Sequence, residues 1–538
     1  MKIVNVLTLL LLVSSSSAAT LNFSTFIGTN LNDFIDDLDV DSNGNSIILG
    51  SAYYLYIVQN QFPTTSGALL EIPPLGNYTN SYWDIVVASF TNDGSALNFS
   101  TYYGGGSGTD QGIKLKIDNN GNYYILGKGV IPTTNNAFSP NLIGSADFFI
   151  SVLSGDGSSI IYSTYFGGSQ GDEAYSLELG SNGDVYVTGK TNSVNFPTNT
   201  GAFSQNFAGG QDVFISSLNN DLSSLVFSTY LGTSNEDIGQ DLDVGINGEV
   251  VVTGTTNSIN FPTTPNAFYP NSIGGIGSFT TSFSNNGSNI DFSTYMGGNT
   301  VNFYNDDVIV SGSGLGQAYP LSSGVFDTVT GYGALFSYTS DGSALNYATY
   351  LGTDSKCLDL DNSGNMYIIG YPYQNFITTS NAFDTTYIGL SISKISSDGS
   401  NLLYGSFIGG TASESVGNII YRNGSIYCGG STNGSTFPTT QGSYDQNFNG
   451  GWDIFVFRMD FPKELDDVEI SYSNSDVVLN WSEIPTATNY KIYRNTLPDF
   501  NSATNIGNLA PSGNQPVYTD SGALQSNSKY YYFVTWED

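Results

Sequence analysis

Between residues 172 and 232 hydrophobic and polar positions alternate in short bursts broken by turn residues. Ala174 to Leu179 alternates with a period of two and predicts a strand. Ser181-Asn182-Gly183-Asp184 predicts a tight hairpin turn, with Asn-Gly in the favoured arrangement. Val185 to Gly189 predicts the second strand. A loop holding Phe196-Pro197-Thr198 and Gly201-Ala202-Phe203 follows. Asp212 to Leu218 and Leu225 to Leu231 predict the third and fourth strands.

The fourth strand carries an anchor that recurs along the chain. It reads Phe23-Ser24-Thr25-Phe26, Phe99-Ser100-Thr101-Tyr102 and Tyr162-Ser163-Thr164-Tyr165, and returns starting at Phe227, Phe292, Tyr347 and Tyr404. Successive anchors are 76, 63, 65, 65, 55 and 57 residues apart. Seven units of four antiparallel strands, each burying its faces only against neighbours, predict an all-β fold: a seven-bladed β-propeller over residues 20–462. The last unit has only three predicted strands, Gly417 to Tyr421, Ser425 to Gly429 and Asp453 to Met459. The first segment, Leu21 to Ile27, is a fourth strand with no blade before it. The reading is that residues 21–27 complete the seventh blade and lock the ring.

These motifs resemble the bacterial β-propeller repeat family abbreviated SBBP. The clearest matches are Phe227-Ser228-Thr229-Tyr230-Leu231-Gly232, Val185-Tyr186-Val187-Thr188-Gly189 and Asn260-Phe261-Pro262-Thr263-Thr264, and the resemblance covers roughly residues 20–460. It implies a propeller and an exported protein with extra modules, and little about chemistry. Blade 5 departs most. It lacks the Asp-x-x-Gly-Asn turn and reads Tyr319-Pro320-Leu321-Ser322 in the loop.

The pattern changes near Val468. Val477 to Trp481 predicts a strand with a Trp suited to a sandwich core, and Tyr490 to Tyr493 a second. Leu524, six residues before Tyr530, and then Tyr530 to Thr535 resemble the fibronectin type III pattern around its tyrosine corner. Residues 466–538 are thus expected to form an incomplete fibronectin type III-like β-sandwich. The last strand of that fold is not in the sequence: either the chain is truncated after Asp538, the favoured reading, or the sandwich lacks that strand and exposes a sheet edge.

Residues 1–19 read as a signal peptide: Lys2, the apolar run Val4 to Val13, and the small residues Ser17-Ala18-Ala19. A secreted or cell-surface protein is expected, with no membrane insertion after cleavage. Across 538 residues 13 Lys and Arg face 47 Asp and Glu, a formal charge of −34, which opposes nucleic-acid binding and could attract cations. The absence of histidine removes the commonest general base and transition-metal ligand. Cys357 and Cys428 lie at dissimilar repeat positions and are expected as buried free thiols.

The connections from strand four to the next blade, and from strand two to strand three, share one face, here called the upper face. Its longer loops make it the expected binding face. After the anchors a carboxylate recurs: Asp33, Asp110, Asp172, Asp237 and Glu414, with Asp354 early and Asn302 in its place in blade 5. These five residues are candidate metal ligands, a ring at the channel mouth for which calcium suits oxygen-only donors. The competing reading is that each caps a turn. Asp39-Val40-Asp41-Ser42-Asn43-Gly44 and Asp359-Leu360-Asp361-Asn362-Ser363-Gly364 read as hairpin turns rather than calcium loops, since the distal glutamate is missing. The Phe-Pro-Thr-Thr loops offer either sugar contacts or apolar plugs. No catalytic constellation and no cofactor site is apparent. Glu236 and Asp237 are adjacent on a strand and point apart. The expected function is a non-enzymatic binding, adhesion or surface-structure module, with a glycan or a cell-envelope protein as partner. The alternative is a secreted polysaccharide-active enzyme, a glycosidase or lyase, with its site on the upper face.

Overall fold

The computed structural model describes residues 19–54, 61–74, 82–105, 109–144, 146–272, 277–312, 321–327, 333–461, 469–473, 476–481, 489–495, 504–511, 516–521 and 531–537. It divides into two compact units, one of them residues 21–459. In that unit the described residues form seven four-stranded sheets. The first strands of consecutive sheets contact one another in a closed cycle, which makes the unit a seven-bladed propeller.

Blade 1 consists of Asp33–Val40, Ser46–Tyr54, Tyr82–Phe90 and Leu97–Tyr103, and blade 2 of Gln111–Ile117, Tyr123–Lys128, Phe148–Leu153 and Ile160–Phe166. Blade 3 is Asp172–Leu179, Val185–Thr191, Asp212–Leu218 and Leu225–Leu231. Blade 4 is Asp237–Val244, Val250–Thr256, Gly277–Phe283 and Ile290–Thr294. Blade 5 is Thr300–Tyr304, Asp307–Gly312, Ala334–Tyr338 and Leu345–Tyr350. Blade 6 is Thr353–Leu360, Met366–Pro372, Leu390–Ile395 and Leu402–Ile408. Blade 7 takes Glu414–Arg422, Ser425–Thr432 and Asp453–Asp460 from the end of the unit and Thr20–Ile27 from its start.

The closure expected from the spare strand is therefore present. Main-chain and side-chain bonds reinforce it. Phe26 N–H donates to Asp445 O (2.8 Å), and Ser24 Oγ donates to Pro438 O (2.6 Å). Each blade's apolar residues reach across to the next. Between blades 2 and 3, Phe148 stacks on Phe214 at 5.4 Å in a buried cluster with Ile150, Leu177 and Val187. Burying aromatic faces between sheets is what lets a four-stranded sheet, unstable alone, persist in the ring.

The long loops between second and third strands behave differently from the expectation. Their described residues do not stand on the upper face as free binding loops. Each descends along the outermost strand of its own blade and returns. In blade 1, Thr65 N–H donates to Ser100 O (3.0 Å). Leu69 then reaches Gly157 O in the turn of blade 2 (3.1 Å), and Tyr102 N–H closes on Leu70 O (3.0 Å). Blade 4 repeats this through Thr264 to Ser293, Phe268 to Gly342 and Tyr295 to Tyr269. The physical reason is the unpaired edge of every fourth strand, which the loop covers. Tyr319-Pro320 of blade 5 lies outside the described residues.

Described on its own, the second unit holds two three-stranded sheets. Glu469–Ser473, Asp476–Asn480 and Val517–Asp520 form one, and Thr504–Leu509, Asn489–Asn495 and Tyr531–Glu537 the other. Trp481 is fully buried and meets Tyr490 edge-on at 5.4 Å. Leu524, Tyr530 and residues 1–18, most of the expected signal peptide, lie outside the described residues. Cys357 and Cys428 are free thiols; Cys428 is buried and Cys357 half-buried. Among the described residues no helix is long and apolar enough to cross a membrane.

Candidate functional site

The recurrent carboxylates do not ring the channel. Asp33, Asp110, Asp172 and Asp237 are buried in the seams between blades, and Glu414 lies half-buried at the last seam. Each opens a first strand or immediately precedes one, and its side chain closes the connection from the preceding blade. Thr29 N–H donates to Asp33 Oδ2 (2.5 Å), Gly168 N–H to Asp172 Oδ2 (2.5 Å), Thr233 N–H to Asp237 Oδ2 (2.8 Å) and Gly410 N–H to Glu414 Oε1 (2.9 Å). Val130 N–H donates to Asp110 Oδ1 (2.8 Å). The Thr191 and Thr256 hydroxyls donate to Asp172 Oδ1 and Asp237 Oδ1 (2.5 Å each). The capping reading thus describes what these side chains bond.

Sequence spacing misplaced two members. The strand register of blade 6 puts Thr353, opposite Pro372 and two residues before the bulge at Ser355/Cys357, where Asp172 sits opposite Thr191. Asp354 instead pairs with Lys356 Nζ (3.0 Å). Asn302 of blade 5 lies mid-strand, opposite Ile309.

A second set of carboxylates, missed in the sequence, faces the first. Asp147, Asp212 and Asp453 open or precede the third strands of blades 2, 3 and 7, and Asp84 lies two residues into that of blade 1. Asp110 N–H donates to the carbonyl of Trp83, just before Asp84 (2.9 Å). The same bond joins Asp172 to Ala146 (3.0 Å), Asp237 to Gln211 (2.8 Å) and Asp33 to Trp452 (2.7 Å). Four seams therefore carry an Asp from each side. Burial, and then the partner carboxylate, push Asp84 up to about 8. Burial is the main cause that raises Asp33, Asp212 and Asp453 to about 7 and Asp110 to about 6. The available signal was the recurring Asp followed by two apolar residues, as in Asp147-Phe148-Phe149 and Asp453-Ile454-Phe455.

The channel is lined by residues further along the first strands. Asp37, Asp39, Asp241, Asp243 and Asp359 reach into the neighbouring blade and accept its free edge N–H groups. Leu115 N–H donates to Asp37 (2.7 Å), Phe303 N–H to Asp243 (2.6 Å) and Tyr421 N–H to Asp359 (2.6 Å). Lys114 Nζ lies 3.6 Å from Asp37, and Lys116 pairs with Glu178. The channel interior holds a cavity of about 220 Å³. The mouth on the lower face, among the short hairpin turns, opens into one of about 590 Å³ bordered by Asp39, Lys116, Glu178 and Arg422. Asp41 and Asp361 cap those turns, with Asn45 N–H donating to Asp41 Oδ1 (2.9 Å) and Asn365 N–H to Asp361 Oδ1 (2.8 Å).

The Phe-Pro-Thr-Thr loops are structural. Phe62, Phe196, Phe261 and Phe437 are buried plugs. The last anchor tyrosine holds the loop: Phe196 N–H donates to Tyr230 OH (3.0 Å), and Tyr230 OH donates to Ser193 O (2.7 Å). These rings offer no open face to a sugar.

The aromatic surface lies elsewhere on the upper face. Phe34 sits 5.2 Å from Trp452 of blade 7 and 5.6 Å from Trp83, which lies 5.0 Å from Tyr53. All four are half-buried. Farther round the same face, a cavity of about 670 Å³ opens among Asp36, Lys128, Leu142, Phe148, Glu173 and Tyr175. Tyr175 OH donates to Glu173 Oε2 (2.8 Å) there. Glu236 is exposed beside this face while Asp237 is turned into its seam, so the two do not converge.

The SBBP family, described as Beta-propeller repeat, matches residues 161–197, from the anchor of blade 2 to the Phe-Pro of blade 3. No curated protein matches the chain. Among solved structures, the Pan2 WD40 domain of Neurospora crassa is 9% identical with a TM-score of 0.42, covering 84% of this chain and 97% of that one. A protein of unknown function from Dyadobacter fermentans is 10% identical with a TM-score of 0.37, covering 82% and 99%. BamB from Moraxella catarrhalis is 9% identical with a TM-score of 0.33, covering 83% and 94%. The chain is an all-β seven-bladed propeller that carries a repeat of the SBBP type.

Proposed function

We propose that this is an exported, non-enzymatic binding protein whose propeller presents a ligand platform on its upper face, with a cell-surface glycan as the favoured partner. One observation carries the reading. Phe34, Tyr53, Trp83 and Trp452 form a partly open aromatic cluster on a rigid frame whose other large aromatics are mostly buried. Aromatic rings stack on the apolar faces of sugars, and half-open Trp side chains are favoured where one end must stay wet. The leader-like residues 1–19 support export. The second unit is read as fibronectin type III-like, a spacer or adhesion module. Its sheet pairing and the buried Trp481 support this.

A glycan array with the wild-type chain and the Trp83→Ala/Trp452→Ala double variant tests the proposal. Binding without turnover that the variant loses at unchanged circular dichroism is the expected result. Release of reducing ends replaces it with the polysaccharide-active enzyme. Binding that survives the double variant moves the site off the platform.

A further inference from the structure

Four of the seven seams bring two aspartates together: Asp33 with Asp453, Asp110 with Asp84, Asp172 with Asp147 and Asp237 with Asp212. All eight are between 0% and 3% exposed. Each seam leaves at least one buried carboxylate oxygen without a hydrogen-bond partner. These are Oδ1 of Asp33 and Asp453, both oxygens of Asp84 with Oδ2 of Asp110, Oδ1 of Asp147, and Oδ1 of Asp212.

Three of these orphan atoms, Oδ1 of Asp453, Asp212 and Asp147, crowd a glycine at their seam. A Cβ built on Gly28 would lie 2.7 Å from Asp453 Oδ1 and 2.9 Å from Asp33 Oδ2. One on Gly232 would lie 2.7 Å from Asp212 Oδ1 and 2.8 Å from Asp237 Oδ2. Oxygens of the two carboxylates therefore meet around a single glycine. At the seam of blades 2 and 3 a Cβ on Gly167 would lie 2.5 Å from Asp147 Oδ1. Main-chain carbonyls join there: around Gly144 the same construction finds Gln170 O at 2.2 Å and both Asp147 Oδ1 and Gly168 O at 2.7 Å. The C–H contacts of a glycine are too weak to compensate a pair of buried carboxylates.

The pairing is also selective. Where the third-strand position is Gly277 or Gly389, the neighbouring first strand carries no second aspartate: it begins at Thr300 in one case and at Glu414 in the other. Like charges placed opposite one another repel unless something shared neutralises them. One proton neutralises one carboxylate of a pair, whereas a divalent cation neutralises both and accepts carbonyl oxygens as further ligands.

We propose that the four paired-aspartate seams are divalent-cation sites of calcium type that fasten blade 7 to blade 1, 1 to 2, 2 to 3 and 3 to 4. They are four separate clamps with partners on two blades, not a ring around the channel. Among the described residues no cluster of three acidic, His or Cys ligands exists, so each ion would complete its shell with main-chain carbonyls and water.

The test uses the full chain, stripped with a chelator and dialysed against calcium. Four bound ions per chain and a higher thermal midpoint with calcium than with chelator are expected. Asp212→Asn and Asp84→Asn should each remove one ion, while Glu414→Gln, at a seam without a pair, should remove none. Terbium luminescence on the wild-type chain gives the count if a variant fails to fold. A stripped chain that takes up neither calcium nor terbium at millimolar concentration overturns the proposal. So does uptake that the seam variants leave unchanged.

Discussion

The ring of Phe99, in the outermost strand of blade 1, lies against Gly157, in the lower turn of blade 2. A Cβ built on Gly157 would meet Phe99 Cδ2 at 2.2 Å, and its φ is +70°. The relation repeats around the molecule: Phe23 on Gly94, Phe227 on Gly287, Phe292 on Gly342 and Tyr347 on Gly399. The anchor aromatic of one blade and the turn glycine of the next are therefore one device. Gly157→Ala should cost about 1–3 kcal/mol from overpacking. A further 1–2 kcal/mol, roughly, comes from the left-handed backbone. The urea midpoint measures it. A change within 0.5 kcal/mol of wild type, about what an ordinary surface substitution gives, would show that the turn relaxes freely.

Removing residues 21–27 should abolish the cooperative thermal transition of the propeller. The deletion leaves Asp453–Asp460 as an open edge. It also strips the Phe437 loop of its partners Ser24, Thr25 and Phe26. Differential scanning calorimetry reads this directly, and a full-sized transition at the wild-type midpoint would refute the closure.

Asp37 is the most heavily used carboxylate of the channel. It is 1% exposed and accepts from Leu115 N–H and Asn418 Nδ2 (2.7 Å each), with Lys114 Nζ at 3.6 Å. Asp37→Ala takes this acceptor from the Leu115 amide and the Lys114 ammonium group, and leaves the Asn418 carboxamide with the Leu38 carbonyl alone. Losing one member of such a buried set costs about 3–5 kcal/mol. Asp37→Asn keeps the shape and should lose less, and comparing the two by chemical denaturation separates charge from hydrogen bonding.

The channel also predicts how stability follows pH. Burial is the main cause that lifts Asp39 and Asp359 to about 6 and Asp243 to about 7. Glu178 adds to the rise at Asp243. Lys116 lowers all three, and Arg422 also lowers Asp359. A folded carboxyl that holds its proton above the unfolded value of 3.8 gives the folded state more bound protons. Stability then falls as pH rises from about 4 to 7. One such group changes stability by about 1.4 kcal/mol per pH unit in that window. Thermal midpoints in chelator should be higher at pH 5 than at pH 8, and Asp243→Asn should flatten the difference.

Much of the architecture was readable because it is local and repeated. Asp212–Leu218 and Leu225–Leu231 form as the alternation predicts, and the spare strand at 21–27 lands in blade 7. Spacing failed where register intervened. Asp354 comes only four residues after the anchor's Tyr350, where Asp172 comes seven after Tyr165, and with that shorter connection the register opposite Pro372 puts Thr353 in the seam. The long loops looked like binding elements because length along the chain does not reveal that an edge strand lies beneath them.

By itself the order of residues along this chain determined the number of blades, the order of strands within a blade and the closure. Those follow from periodicity, turn chemistry and the arithmetic of one surplus and one missing strand. Which carboxylates face each other was decided only in three dimensions. Asp172 and Asp147 are 25 positions apart, and Asp33 and Asp453 are 420 apart. They meet because the ring lays the first strand of each blade against the third strand of the blade before it, a relation no local pattern contains. The half-open cluster of Phe34, Trp83 and Trp452 depends on the same packing, since it joins blade 1 to blade 7 across the closure of the ring.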